Sequence, residues 1–168
     1  MTPATSAVAL DLTWTDTDVH IAALAERIRR DDVPEIIIGV LRGGMVPAIM
    51  LAHHLGVRDV RGIEVTHTVT DEPNGAKTPH PLVVNPASVG ALNAAADVLV
   101  VDDVAGSGHT LDTTVALLDP HVARVRRAVL VVNTLNWGCS NKLAAPHDVQ
   151  DYIGTTCAGW VRFPWEVR

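Results

Sequence analysis

The chain has 168 residues, the size of one ordinary domain with a real core, and 48% of them are apolar, which excludes a disordered chain. The net charge is −6, and the cations are eleven arginines with only two lysines, Lys77 and Lys142; this argues against a nucleic-acid or anionic-membrane surface, which needs clustered cations, and makes any basic site local. Cys139 and Cys157 form neither a disulfide framework nor a CxxC pair, residues 1–10 lack the regions of a signal peptide, and no apolar run nears the roughly 20 residues that span a bilayer, so reduced thiols and a cytoplasmic location are expected.

Residues 1–10 read as a loose terminus. Asp16 or Thr17 can cap a helix that runs to about Arg30, because Ile21, Leu24, Ala25 and Ile28 fall on one face at i, i+3, i+4, i+7. Residues 35–41 (EIIIGVL) are a β-branched run, the pattern of a strand buried on both faces. Arg42-Gly43-Gly44 interrupts it, and Met45–Leu55 reads as a helix stopped by Gly56. Residues 60–66 read as a strand. Residues 67–81, with three prolines and Asn74-Gly75, read as a loop of a length that usually serves function. A return strand is expected at 82–84 and a linking turn or short helix at 85–96.

Residues 97–101 (DVLVV) are the clearest buried strand, running into Asp102-Asp103, a glycine turn and a helix over 109–118. A strand follows at 128–133, then irregular chain over 135–148, a last strand at 149–153 and a compact tail at 160–166. Strands alternating with helices predict an α/β fold: one domain, with a mainly parallel twisted sheet and helices on both faces. No repeat and no second domain are visible.

The chemistry concentrates in residues 98–111 (VLVVDDVAGSGHTL). Gly106, Ser107 and Gly108 let backbone N–H groups come close to a phosphate, and the helix that begins beyond them adds a favourable dipole. The hydroxyls of Ser107 and Thr110 can donate to the same group. Asp102 and Asp103 would repel a phosphate, so they make sense as acceptors from sugar hydroxyls or facing a divalent cation. A ligand with a phosphate, vicinal hydroxyls and bound Mg²⁺ satisfies all of these at once. The plainer reading is a helix cap and a chain reversal, which a bare DD or GSG would favour; the whole string favours a ligand. No GxxxxGK[ST] is present, and no GxGxxG directly follows a strand.

That segment resembles the phosphoribosyl-pyrophosphate signature of the type I phosphoribosyltransferases. Thr13-Trp14, GVLRGGMVPA at 39–48, HHLGVRDV at 53–60 and the ending DYIG…GWVRFPWE resemble, in the same order, the xanthine-guanine branch of that family. The resemblance implies a core over about 12–134 and a small C-terminal base-binding hood over 135–168. It implies transfer of the 5-phosphoribosyl group from phosphoribosyl pyrophosphate to a purine-type base, with Mg²⁺ as cofactor and a homo-oligomer, dimer or tetramer, as the assembly.

By resemblance, Leu41, Arg42, Gly43 and Gly44 form a pyrophosphate loop containing a cis peptide, with Lys77 of the mobile loop as a further contact. Asp102 and Asp103 hold the ribose hydroxyls or the metal, and Ala105, Gly106, Ser107, Gly108, His109 and Thr110 hold the 5-phosphate. Trp160 stacks on the base, the Val161 backbone reads its edge, and Val104, Thr134 and Lys142 complete the base site. The catalytic set is Asp102, Asp103, Arg42 and His109. Trp165 reads as core. Asn133, Asn136 and Trp137 are polar or stacking candidates beside the base.

Two positions depart from the branch. Gly106 stands where purine-salvage relatives carry an aspartate that faces N7 of the base and can take its proton. Thr134 stands where they carry a lysine, and Lys142 comes eight residues later. His109 or water could replace the missing base, or the reaction could do without one. A third option is an acceptor that is not an ordinary purine: a 7-deazapurine has no proton to lose at that position. Three functions therefore remain open: 6-oxopurine transfer, transfer to a modified purine such as a 7-deazaguanine, and a non-catalytic sensor of phosphoribosyl pyrophosphate.

Overall fold

The computed structural model describes residues 8–68, 77–140 and 143–166; the side chains of residues 67, 68 and 77–79 lie outside that description. The chain opens with strand β1 (Val8–Asp11) and helix α1 (Trp14–Arg30). Strand β2 (Ile36–Leu41), helix α2 (Met45–Leu55) and strand β3 (Asp59–Thr68) follow, then β4 (Lys77–Val83). A 3-10 turn at Pro86–Val89 leads to β5 (Asp97–Ala105), helix α3 (His109–Leu118) and β6 (Arg124–Asn133). Short helices α4 (Thr134–Gly138) and α5 (Pro146–Val149) precede β7 (Tyr152–Cys157) and β8 (Trp160–Arg162).

Six strands form one sheet in the order β4-β3-β2-β5-β6-β7. Five run parallel and only β4 is antiparallel, at the edge. This is the expected α/β architecture, and each face carries its own core. On one side Ile21, Leu24 and Ile28 of α1 and Leu51 of α2 pack with Leu99, Val101 and Leu130. On the other, Leu111 and Leu118 of α3 pack with Ile38, Val98, Val100 and Val129. Helix α2 approaches β2 so closely that a Cβ at Gly39 would lie 2.9 Å from both the Ala48 Cβ and Met45. Strand β8 leaves the main sheet and pairs only with β1, in parallel.

Several expected boundaries change. Helix α1 is capped by Thr13, which accepts from the Asp16 N–H while the Asp16 carboxylate accepts from the Thr13 N–H, a reciprocal capping box. Asp16 and Thr17 are thus inside the helix. Residues 8–11 are a strand rather than a loose terminus. The segment 77–81 belongs to β4, which tolerates Pro79 and Pro81 because an edge strand has one side without ladder partners. β5 runs four residues beyond 101, so both aspartates lie within it. The segment 135–148 contains most of α4 and most of α5, and the last strand of the main sheet is displaced from 149–153 to 152–157. No helix among the described residues is long and apolar enough to cross a membrane.

Candidate active site

The site forms where neighbouring parallel strands β2 and β5 end and each chain turns into a helix, the usual ligand position in open α/β sheets. At the first turn the Leu41–Arg42 peptide is cis. Carbonyls of the turn then start α2: Met45 N–H donates to Arg42 O at 3.3 Å, Val46 N–H to Gly43 O at 3.1 Å, and Ala48 N–H to Gly44 O at 3.1 Å. The turn lies directly on the end of β5. A Cβ at Gly44 would sit 2.6 Å from Val40 O, 2.8 Å from Val101 O and 2.9 Å from the Asp102 Cα. A Cβ at Gly43 would overlap the Asp103 carboxylate. Glycine is required at both positions by contact, and the contact joins two segments some sixty residues apart.

Asp102 is buried, at 8% exposure, and its Oδ1 accepts from the Asp103 N–H at 3.0 Å. Asp103 is half-buried and accepts from the Val104 N–H at 2.8 Å. Neither carboxylate meets an arginine or lysine among the described residues. Burial first, then the adjacent Asp103 charge, pushes Asp102 well above the usual carboxylate range. Burial also raises Asp103, and the charge of Glu166 adds to the rise. Glu166, which accepts from the Phe163 N–H at 3.0 Å, thus brings the chain's tail toward the acidic pair. Sequence reasoning missed it, because a lone carboxylate near the end of the chain gives no local sign that the tail folds back toward the acidic pair.

Ala105, Gly106, Ser107 and Gly108 turn the chain from β5 into α3. Gly108 caps the helix in the left-handed conformation (φ 73°, ψ 1°) with no side chain of its own, and the Ser107 hydroxyl accepts weakly from the His109 N–H at 3.5 Å. Ala105 and Ser107 are buried; His109 and Thr110 are half-buried in the first turn, next to Leu111 in the core. The turn therefore offers backbone donors, two hydroxyls and a helix N-terminus to an anion.

On the other side, Trp160 is half-buried in β8, and Val161 is buried opposite Leu10 of β1. Val104 lies on β5 beside Val131. The Thr134 hydroxyl donates to Cys157 O at 3.1 Å, so the residue in the lysine's place is tied to the hood turn. Trp137 is not a stacking wall: it is 5% exposed in the α3-side core, its indole N–H donating to Ala144 O at 3.0 Å. Asn136 likewise helps close α4, donating its backbone N–H to the Asn133 side chain. Trp165 stacks on Phe163 at 4.7 Å between centroids and 10° between planes, as expected of a packing residue. Arg42 is exposed in its turn. Lys77 opens β4, with its side chain outside the description, and Lys142 lies outside the described residues.

A mainly parallel α/β sheet, with a Gly-Gly turn laid against an acidic pair and a glycine turn opening a helix beside it, is the architecture of an α/β enzyme with its site at the strand ends. The phosphoribosyl transferase domain model matches residues 14–168. A purine phosphoribosyltransferase from Pyrococcus horikoshii is similar at 31% identity over 95% of this chain and 94% of that one, with a TM-score of 0.73. A hypothetical protein from Neisseria gonorrhoeae with bound ppGpp is 26% identical over 96% and 92%, TM-score 0.71. The xanthine-guanine-hypoxanthine phosphoribosyltransferase of Helicobacter pylori shares the fold at 22% identity over 94% and 93%, TM-score 0.69. The chain belongs to the type I phosphoribosyltransferase family and is an enzyme of that class.

Proposed function

We propose that the protein transfers the 5-phosphoribosyl group of phosphoribosyl pyrophosphate to a 6-oxopurine, releasing pyrophosphate and giving a nucleoside 5′-monophosphate. The observation that carries this is the contact of Gly43 and Gly44 with Asp103 and Asp102: a glycine turn lies directly against an acidic pair, as a leaving-group loop beside a sugar-binding pair would require. The 31% identity to a purine phosphoribosyltransferase over nearly the whole of both chains supports the purine class.

The 5-phosphate is held by the amides of Ala105–Thr110 and the hydroxyls of Ser107 and Thr110. Asp102 and Asp103 accept from the ribose hydroxyls. Arg42, with Gly43 and Gly44 and with Lys77 from β4, takes the pyrophosphate through charge-assisted donors. N9 of the base attacks C1 as the bond to pyrophosphate breaks, and the base loses a proton, for which His109 is the nearest titratable candidate in the phosphate turn. Trp160 stacks on the base, with Val161, Val104, Thr134 and Lys142 around it.

The acidic pair also fits Mg²⁺. A buried and a half-buried carboxylate, with no cationic partner among the described residues and both raised in pKa, would be relieved by a divalent ion. No group of three or more metal-binding side chains occurs among the described residues, so the remaining ligands would be substrate oxygens and water. When bound, the ion neutralises pyrophosphate charge and improves it as a leaving group.

A second reading, transfer to a 7-substituted or 7-deazapurine, draws on Gly106, which leaves the turn beyond Asp103 without a carboxylate. One assay tests both readings: pyrophosphate release with guanine, hypoxanthine, xanthine and 7-deazaguanines. Turnover of the first three supports 6-oxopurine transfer. Turnover confined to the 7-deazaguanines moves the conclusion to the second reading, in which Gly106→Asp should harm those acceptors. A protein idle on the whole panel would refute both.

A further inference from the structure

Strand β8 carries Trp160 but pairs with β1 alone, outside the main sheet. Its height above the main sheet is therefore set by the chain that leads into it. That chain leaves β7 at Cys157, which lies opposite Asn133 at the end of β6, and turns through Ala158 and Gly159. Asn133 is a buried polar residue at 6% exposure. Its Oδ1 accepts from the Asn136 N–H at 3.2 Å, capping α4, and its Nδ2 donates to Gly159 O at 2.7 Å. Each end of the amide faces the complementary backbone group, so its orientation is fixed.

The Gly159 carbonyl receives a second, weaker donor, the Cys157 thiol at 3.4 Å. From the opposite side β1 closes in: a Cβ at Gly159 would lie 2.8 Å from the Ala9 Cβ, and its φ of 148° disfavours any side chain. The turn is thus gripped between the end of β6 and β1, and the Asn133 amide is the shortest bond in that grip.

We propose that Asn133 is a positioning residue for the acceptor base: by tethering the Gly159 carbonyl to the end of β6, it sets the gap between the Trp160 wall and the C-terminal end of β5. It touches neither substrate. This rests on the reading above that Trp160 faces the base, and it assigns to Asn133 a different role from that of a direct base contact.

The test uses Asn133→Ser and Asn133→Asp in the full-length enzyme. Serine and aspartate both keep an acceptor for the α4 cap, but serine is too short to reach Gly159 O and aspartate has no donor for it. Both variants should still fold, with a melting temperature somewhat below wild type, because the Gly159 carbonyl loses its amide donor. Their KM for whichever acceptor the wild-type enzyme turns over in the panel should rise about tenfold, while the KM for phosphoribosyl pyrophosphate and kcat stay within about twofold. An unchanged acceptor KM overturns the proposal, as does an equal rise in both KM values. Lowered stability with unchanged KM values overturns it too, because that is what a purely structural bond would give. If Asn133→Ser does not fold, the isosteric Asn133→Asp decides alone. Trp160→Ala separates the two layers: if it leaves acceptor KM unchanged, the base wall lies elsewhere and the parent reading fails, whatever Asn133 does.

Discussion

The Asp102 carboxylate is held in a position that favours its neutral form. It is buried, a second acid follows it, and its acceptor bond to the Asp103 N–H does not offset those effects. Its folded-state pKa therefore stands above the unfolded value of about 4. The sign of the linkage follows: below the unfolded value both states are protonated and nothing is lost, and stability falls as pH rises through the folded-state pKa. Asn at this position keeps an acceptor for the Asp103 N–H and carries no charge. Asp102→Asn should thus melt higher than wild type near pH 8, with the difference vanishing near pH 4, while turnover is abolished. Melting curves across that range check it; equal melting temperatures near pH 8 would mean the carboxylate is not strained by burial at all. Stability given up at the acidic pair is the expected signature of a site built for hydroxyls and a cation. The same contact explains why Gly43 tolerates no side chain: a methyl there would displace Asp103.

The elements divide by whether their pattern is local. α1 was legible because burial imposes a helical period on its apolar residues, β2 and the first half of β5 because strands buried on both faces are continuous apolar runs, α3 because a glycine turn opens it, and α2 because Gly56, with φ 74°, is a C-cap the sequence announces. The end of β5 was hidden because Asp102 and Asp103 break its apolar run, although Val104 and Ala105 continue the ladder to β6. β1 was hidden because four residues carry little pattern and their partner, β8, lies some 150 residues on. The Thr13 cap was legible as T-x-x-D but was overlooked beside two other capping residues. In the candidate site, the glycine turn after β5 was visible in residue types as an anion cradle, while the role of the Gly-Gly turn after β2 came only from the family resemblance. The tether of Asn133 and the approach of Glu166 could not be read, since each depends on a turn placed by tertiary structure. At the edge of the sheet opposite the site, Arg126 binds elements together instead of binding ligand. It is 2% exposed, grips Asp97 at 3.1 and 2.7 Å, and donates to the Tyr152 hydroxyl at 2.9 Å, which in turn donates to Asp31 at 3.0 Å. That cluster joins the starts of β5, β6 and β7 to the end of α1. Arg126→Ala leaves Asp97 without its buried partner and should lower unfolding stability by about 3 kcal/mol in denaturant titrations. Both KM values of the folded fraction should be unchanged; a shift in either would show that strain at this edge reaches the site.

At the scale of the whole molecule, charge runs against the ligand. The chain carries a net −6, and on the proposed reading the two acids stand beside a polyanionic sugar phosphate. On the same reading Arg42 and Lys77 are the cations at the leaving group, with backbone amides supplying the rest of the anion binding. Binding of phosphoribosyl pyrophosphate should therefore depend steeply on Mg²⁺, which offsets charge on both the ligand and the acids. At a ligand concentration 100-fold above Kd, a ligand that binds only the folded state adds about 2.7 kcal/mol, or roughly 5–10 °C in a chain of this size. Wild-type protein with phosphoribosyl pyrophosphate and Mg²⁺ should show a rise of that order, and one with EDTA only a small fraction of it. In the Asp102→Asn, Asp103→Asn double variant the repulsion is gone and so is the metal's anchor. The shift with Mg²⁺ should fall and the shift in EDTA should grow, bringing the two together. A double variant that keeps the full difference would show that the metal's effect acts on the ligand alone, away from this pair.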